Sequence, residues 1–397
     1  LNNVHRLTVI SSLVFSAVGI SSPLMTLYLQ ALGAGFARIS LILTSVAATL
    51  MVSNYIWGRV SDRLGRRKPL IIGGLASMAL MFTLLSRAPN VNWAWGVRLL
   101  EGLSMAAYAT TSLALMGDLI SARGKRGRRM GFYRGIGSFS FAVGAVIGGR
   151  LADQFSISFA LSVSAGLYLT ASLVALTLSE PSPRSKETNV SKPKVAVTST
   201  ELPQANQRLP LLFLAGVLMW VTALGASASM WPNFMASLGY NKTTISSLWG
   251  LAATVEAIGM PLVGNLSDVV GRAPLLAAGG LGIAIVMLGY IILARFLPAL
   301  IGVQIVRGFG YSSYTASAMT FAAELGDERV RGNNTGLFNA TTSSGQLLGS
   351  FLGGTIVEVM GFEFLFGVCA VSALISAFFF LVLRYRQTLV PVAEPGR

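Results

Sequence analysis

Gly58–Lys68 reads GRVSDRLGRRK, a short, strongly basic turn bracketed by glycines and set between two long apolar runs. Much of it returns, at an offset of 206, as Gly264–Arg272, GNLSDVVGR, again between apolar runs. Gly58, Ser61, Asp62, Gly65 and Arg66 match Gly264, Ser267, Asp268, Gly271 and Arg272 one for one. A turn used once in each half of a chain indicates internal duplication. Gly102 and Tyr108 correspond to Gly308 and Tyr314 at the same offset. Gly144-Ala-Val-Ile-Gly148-Gly149 corresponds to Gly349-Ser-Phe-Leu-Gly353-Gly354 at an offset of 205.

Composition sets the class in which this duplication sits. Of 397 residues, 53% are hydrophobic and only 11% charged, with mean hydropathy +0.66. Soluble domains carry roughly 25% charged residues, so the depletion indicates a polytopic membrane protein. Cys369 is the sole cysteine and His5 the sole histidine. That excludes an internal disulfide, a cysteine-based metal site and histidine proton relays; no metal and no cofactor are expected. There is no catalytic histidine, no reactive-cysteine setting and no phosphate-binding glycine loop between a strand and a helix, so an enzyme is not expected. The opening LNNVHR lacks the layout of a cleavable signal peptide.

Twelve apolar runs read as membrane-spanning helices, because backbone polar groups in lipid must be satisfied within the segment. The net charge of +15 is not a nucleic-acid footprint. Lys and Arg fall in clusters between the runs, and alternate clusters are rich and poor, which is the positive-inside pattern. It places both termini in the cytoplasm of a bacterial inner membrane protein. Residues 180–208, rich in Pro, Ser, Lys, Thr and Asn, read as a flexible cytoplasmic linker. The expected organisation is an N-terminal six-helix half (1–179), that linker, and a C-terminal six-helix half with a short tail (209–397). Duplicated halves of equal orientation, related by an axis along the membrane normal, are a known transporter architecture.

At these residues the sequence resembles the major facilitator superfamily, over essentially the whole chain. Gly58, Ser61, Asp62, Arg63, Gly65, Arg66 and Arg67 fill that family's loop motif between helices two and three. The intramembrane Arg98-Leu-Leu-Glu101-Gly102 resembles its helix-four signature, with Glu101 in place of the usual Gln. The run Gly144–Gly149 resembles the signature of the drug/proton antiporter branch, with Ala145 where proline is usual. The resemblance implies an all-α fold of twelve transmembrane helices in two pseudo-symmetric six-helix halves.

Four groups of residues are candidates for function. Gly58, Asp62, Arg63, Gly65, Arg66, Asp268, Arg272, Asp118 and Arg134 are expected to form a conformational latch at the cytoplasmic side. There Asp62 can accept hydrogen bonds at a helix N-terminus, by resemblance the start of helix eleven near Thr335. Arg98, Glu101, Glu256 and Arg307 are intramembrane charges, expensive unless paired and therefore functional candidates. Arg98 and Glu101, three residues apart, share a helix face. Glu256 has no charged neighbour on its own helix and is expected to pair with Arg307 across helices. Glu101 and Glu256 are the candidates in the helix cores for a protonatable coupling site. By resemblance, helices one, four, seven and ten line a central cavity, where Tyr28, Tyr108, Trp231, Asn233, Tyr311 and Tyr314 are candidate substrate contacts. Gly144, Gly148, Gly149, Gly349, Gly353 and Gly354 are expected to bring helices close together.

The function expected from these residues is alternating-access secondary transport: proton-coupled export of an amphipathic or cationic organic compound by a monomer in the lipid bilayer. The expected partners are that small organic substrate and protons, with no nucleic acid. Aromatic faces and soft methionines suit such compounds. The same aromatics and hydroxyls also suit a sugar or other small metabolite, and a lysolipid or glycolipid flippase is a further alternative.

Overall fold

The computed structural model describes residues 3–121, 126–179, 209–325 and 328–389; the expected linker at 180–208 lies outside the described residues. Twelve long helices carry the described chain, with the interrupted first one counted once. They are α1 (Asn3–Ala31), α2 (Phe36–Leu64), α3 (Lys68–Ser86), α4 (Val91–Ser121), α5 (Arg126–Gln154), α6 (Ile157–Leu176), α7 (Leu211–Ser237), α8 (Lys242–Val270), α9 (Arg272–Ile292), α10 (Leu297–Glu324), α11 (Glu328–Met360) and α12 (Phe362–Leu389). Ten of them are long and apolar enough to cross a membrane. The other two, α10 and α11, are diluted by polar residues such as Gln304, Arg307, Thr341, Thr342 and Gln346. Large apolar side chains such as Leu169, Leu173, Ile285, Val371 and Phe378 are exposed, as expected where the surrounding solvent is hydrocarbon.

The opening motif is less of a turn than its sequence suggests. Gly58–Leu64 is the last part of α2, and the chain leaves the helix at Gly65 (φ 60°), whose N–H bonds the Ser61 carbonyl at 3.1 Å. Gly264–Val270 likewise continues α8, and Gly271 has φ 90°. Only the glycine of each copy needs the left-handed backbone region, because a Cβ is disfavoured there. Pro23 breaks α1 into a one-turn 3₁₀ segment at Ser22–Leu24, while Pro232 is carried inside α7.

Helices α1–α6 and α7–α12 form the two halves, and equivalent residues make equivalent contacts. Gly102 on α4 faces Val46 and Thr49 of α2, and Gly308 on α10 faces Ala252 and Val255 of α8. Gly74 on α3 sits against the Tyr108 backbone, and Gly279 on α9 against that of Tyr314. Within each glycine pair the two residues serve different neighbours. Gly148 packs on the Ile20 backbone of α1 in its own half, and Gly149 on Lys242 and Thr243 of α8 in the other half. Gly353 faces Ala226 and Ser229 of α7, and Gly354 faces Phe36 and Ser40 of α2. Successive helical residues point about 100° apart, so one Gly-Gly step lets α5 or α11 touch a helix on each side at backbone distance.

A Cβ at Gly148 would lie 2.6 Å from the Ile20 backbone. Gly148→Leu is therefore expected to destabilise the protein by about 1–3 kcal/mol through overpacking, read as a lowered Tm in detergent. Gly166, with open space around it, is the control position.

Candidate functional site

The census of Lys and Arg gives the bundle a basic face and a Lys/Arg-poor face. At the Lys/Arg-poor face the halves are joined by two equivalent carboxylates. Asp153, at the end of α5, accepts hydrogen bonds from the Lys242 N–H at 3.0 Å, the Thr243 N–H at 2.7 Å and the Thr243 hydroxyl at 2.6 Å. The Lys242 ammonium adds a 3.6 Å ion pair. Glu358, near the end of α11, accepts from the Phe36 N–H at 2.6 Å and the Ala37 N–H at 3.2 Å. Each carboxylate thus caps the first turn of a helix in the opposite half, where unpaired N–H groups and the helix dipole favour negative charge. Asn233 on α7 adds a third tie, donating to Gln30 Oε1 at 2.7 Å and the Thr26 carbonyl at 3.3 Å of α1. The Gly354 N–H also donates to the Ser40 hydroxyl at 2.5 Å.

Asp153 and Glu358 are missing from the sequence-based site, although a signal for them exists. Each lies four residues beyond its Gly-Gly pair, so the duplication could have paired them. Intramembrane charge drew attention to the helix centres instead.

At the basic face, Asp62, Arg63 and Arg66 are exposed, and no hydrogen bond or ion pair to Asp62 is found among the described residues. In the second copy Arg272 pairs with Glu324 at 2.8 Å and Asp268 at 3.4 Å, which ties α8, α9 and α10 together inside one half. The expectation that Asp268 and Arg272 join the two halves is replaced, in this state, by a contact within the C-terminal half. The side chains of Asp118 and Arg134 lie outside the described residues.

The four intramembrane charges form two unlike arrangements. Arg98 and Glu101 on α4 form a direct ion pair, each about one-eighth exposed. Glu256 on α8 and Arg307 on α10 line one cavity of about 200 Å³ together with Trp249, Ala252, Gly308 and Tyr311, but they are not within ion-pair distance. Arg307 instead stacks its guanidinium over the Trp249 ring, 5.2 Å from the centroid. The expected Glu256–Arg307 pair is therefore a shared cavity rather than a contact. Among the described residues neither side chain's charged group has a hydrogen-bonded partner.

Of the candidate substrate contacts, Tyr311 lines this cavity. The others sit in packing or in the seal. Tyr28 is buried, its hydroxyl donating to the Leu85 carbonyl at 2.5 Å. Tyr108 is buried against α3, and Tyr314 is buried and stacked on Trp220 at 3.6 Å. Trp231 is buried edge-on to Trp249 and beside Tyr290, with its indole N–H unpartnered. Asn233 belongs to the seal. At Tyr28, Tyr108, Tyr314 and Trp231 the departure has one reason: a large aromatic on an inward-facing helix stripe buries most of its area against its own half. Trp249, which does reach the cavity, was missed because α8 was not among the helices expected to line it.

Comparison with known proteins agrees with the fold. A Deinococcus radiodurans protein named for sugar efflux is 26% identical over 363 residues, covering 90% of this chain and 92% of its own. The multidrug resistance protein MdtG of Citrobacter koseri is 24% identical over 389 residues, covering 94% of this chain and 93% of its own. The crystal structure of the nucleoside transporter NupG superposes with a TM-score of 0.78 at 16% identity, over 97% of this chain and 99% of its own, a likeness of fold. The family model of the Major Facilitator Superfamily matches residues 7–293 and 211–396. With two six-helix halves, a repeated glycine-terminated motif and a sealed Lys/Arg-poor face, the chain belongs to the Major Facilitator Superfamily of multi-pass membrane transporters.

Proposed function

We propose that the protein is a proton-coupled exporter of an amphipathic or cationic organic compound, working by alternating access as a monomer in a bacterial inner membrane. The observation that supports this best is Glu256: a carboxylate within a membrane helix, facing a cavity, with no hydrogen-bonded or ion-paired partner among the described residues. A carboxylate so placed is costly when charged, and either a proton or a cationic group relieves the cost. Competition between the two for one carboxylate couples them in opposite directions. Glu101, already neutralised by Arg98, is less suited to that task and serves to hold α4.

In this reading the basic face and both termini are cytoplasmic, and the structure is the inward-facing state. The carboxylate caps of Asp153 and Glu358 hold the outer face shut, and the Asp62 motif is released. When the protein turns outward, Asp62 closes on the opposite half and the two outer caps open. Partners are the small organic substrate, protons and lipid, with no nucleic acid, cofactor or metal, and the protein is not an enzyme. Similarity to a nucleoside transporter and to a protein named for sugar efflux favours a second reading, a small-metabolite porter.

Proteoliposomes carrying an internal pH dye test this. Addition of a cationic amphiphile is expected to move protons in wild-type vesicles, and a protonophore is expected to abolish concentrative transport. Flux of a nucleoside or sugar without proton movement would make the porter reading the correct one.

A further inference from the structure

The chain arranges its intramembrane Arg and Glu differently in its two halves. On α4, Arg98 and Glu101 neutralise each other directly. On the equivalent α10 the position of Glu101 is taken by Arg307 and that of Arg98 by Gln304, while the carboxylate has moved to Glu256 on α8. The result is a cavity with a guanidinium on one wall and a carboxylate on the other, not in contact. Trp249 and Tyr311 form the aromatic part of the lining. Behind Trp249, the buried indole N–H of Trp231 has no hydrogen-bond partner among the described residues.

Burying charge in a membrane protein is costly unless it is paired. An open cavity that sets a carboxylate and a guanidinium on facing helices without joining them is therefore an incomplete site. Its missing part has a defined chemistry. Arg307 presents a planar fork of donors suited to a carboxylate or phosphate. Glu256 suits an ammonium, and Trp249 with Tyr311 suits an aromatic or flat apolar body. A cation alone satisfies Glu256 and leaves Arg307 facing it; an anion alone does the reverse.

We propose that the cavity between α8 and α10 is a binding subsite for a zwitterionic compound, its acidic group on Arg307 and its amino group on Glu256. This deepens the transport reading and rests on it. It narrows the substrate from a plain cation to one that also carries an acid.

Binding by the purified full-length protein in detergent, read as thermal shift and by microscale thermophoresis, tests the proposal without transport. The probes are phenylalanine as zwitterion, its methyl ester as cation and its N-acetyl derivative as anion. The zwitterion is expected to bind at least about tenfold more tightly than either single-charge derivative. Arg307→Gln is expected to remove its advantage over the ester, and Glu256→Gln its advantage over the N-acetyl derivative. Each is a loss of one charge-assisted pair, on the order of tenfold. Circular dichroism of the variants separates loss of a partner from loss of fold, and Arg87→Gln, at an exposed position outside the cavity, is the neutral control. Equal binding of the ester and the zwitterion in wild type, unaffected by Arg307→Gln, would overturn the zwitterion subsite. So would no binding by any probe. Neither result touches the transport reading, which fails instead on absence of substrate-dependent flux in the proteoliposomes.

Discussion

Replacing Glu256 with glutamine is expected to uncouple the protein: substrate-dependent proton movement in proteoliposomes falls to background, while folded yield and Tm stay close to wild type. Glutamine keeps the volume and polarity of a protonated carboxyl but cannot release a proton. Coupling free energies between two ligands are typically about 1–3 kcal/mol, a roughly 5–150-fold effect, and removal of the only group that both ligands contest is expected to forfeit all of it. Downhill substrate exchange is expected to survive at a reduced rate, because the cavity keeps Arg307, Trp249 and Tyr311. Glu101→Gln is expected to behave differently. It leaves Arg98, whose Nε already lacks a partner, as an uncompensated buried charge. Breaking a buried pair from one side is strongly destabilising, about 3–5 kcal/mol, so this variant is expected to lose Tm and yield first. Proton coupling that survives Glu256→Gln but disappears in a well-folded Glu101→Gln would reverse the two assignments.

The double variant Asp153→Asn/Glu358→Gln is expected to shift the conformational equilibrium away from the state seen here. Each carboxylate caps two backbone N–H groups of the opposite half. A charge at a helix N-terminus contributes about 0.3–1 kcal/mol when exposed and up to about 2 kcal/mol when partly buried. Asp153 is about one-quarter exposed and Glu358 more so, so about 1 kcal/mol for each is the appropriate scale once solvent screening is allowed for. Together the two changes amount to roughly 2 kcal/mol, about a thirtyfold change in a two-state ratio. Spin labels at Phe155 and Arg295, exposed positions in different halves, are expected to report a longer distance in the double variant by double electron–electron resonance. Cys369 is buried, so labels report the introduced sites. An unchanged distance distribution would reduce the two carboxylates to ornaments of a seal held by Gly149, Gly354 and Asn233 alone.

How much of this was legible beforehand differs by element. The class, the helix number and the duplication follow from local properties: run length, hydropathy and residues repeating at an offset of 205 or 206. So do the helix-ending glycines and the glycine pairs of α5 and α11, because backbone conformation and close approach depend mainly on the absence of a Cβ. The Arg98–Glu101 pair was readable for the same reason, since an i,i+3 spacing fixes a shared face.

The site itself needed distances between segments far apart in sequence. Sequence alone named Glu256 and Arg307 as the charges lacking a partner on their own helix. Only the crossing of α8 and α10 decided that they face one cavity lined by Trp249 and Tyr311, rather than meeting. Sequence alone put Asp153 and Glu358 beyond matching glycine pairs. Only the packing of α5 on α8 and of α11 on α2 decided that each caps a helix of the other half. The sequence by itself determined what each helix is and which of its residues carry charge. The tertiary structure decided which charges meet, because pairing in a bundle depends on the rotation and crossing of whole helices, which the composition of neither helix specifies.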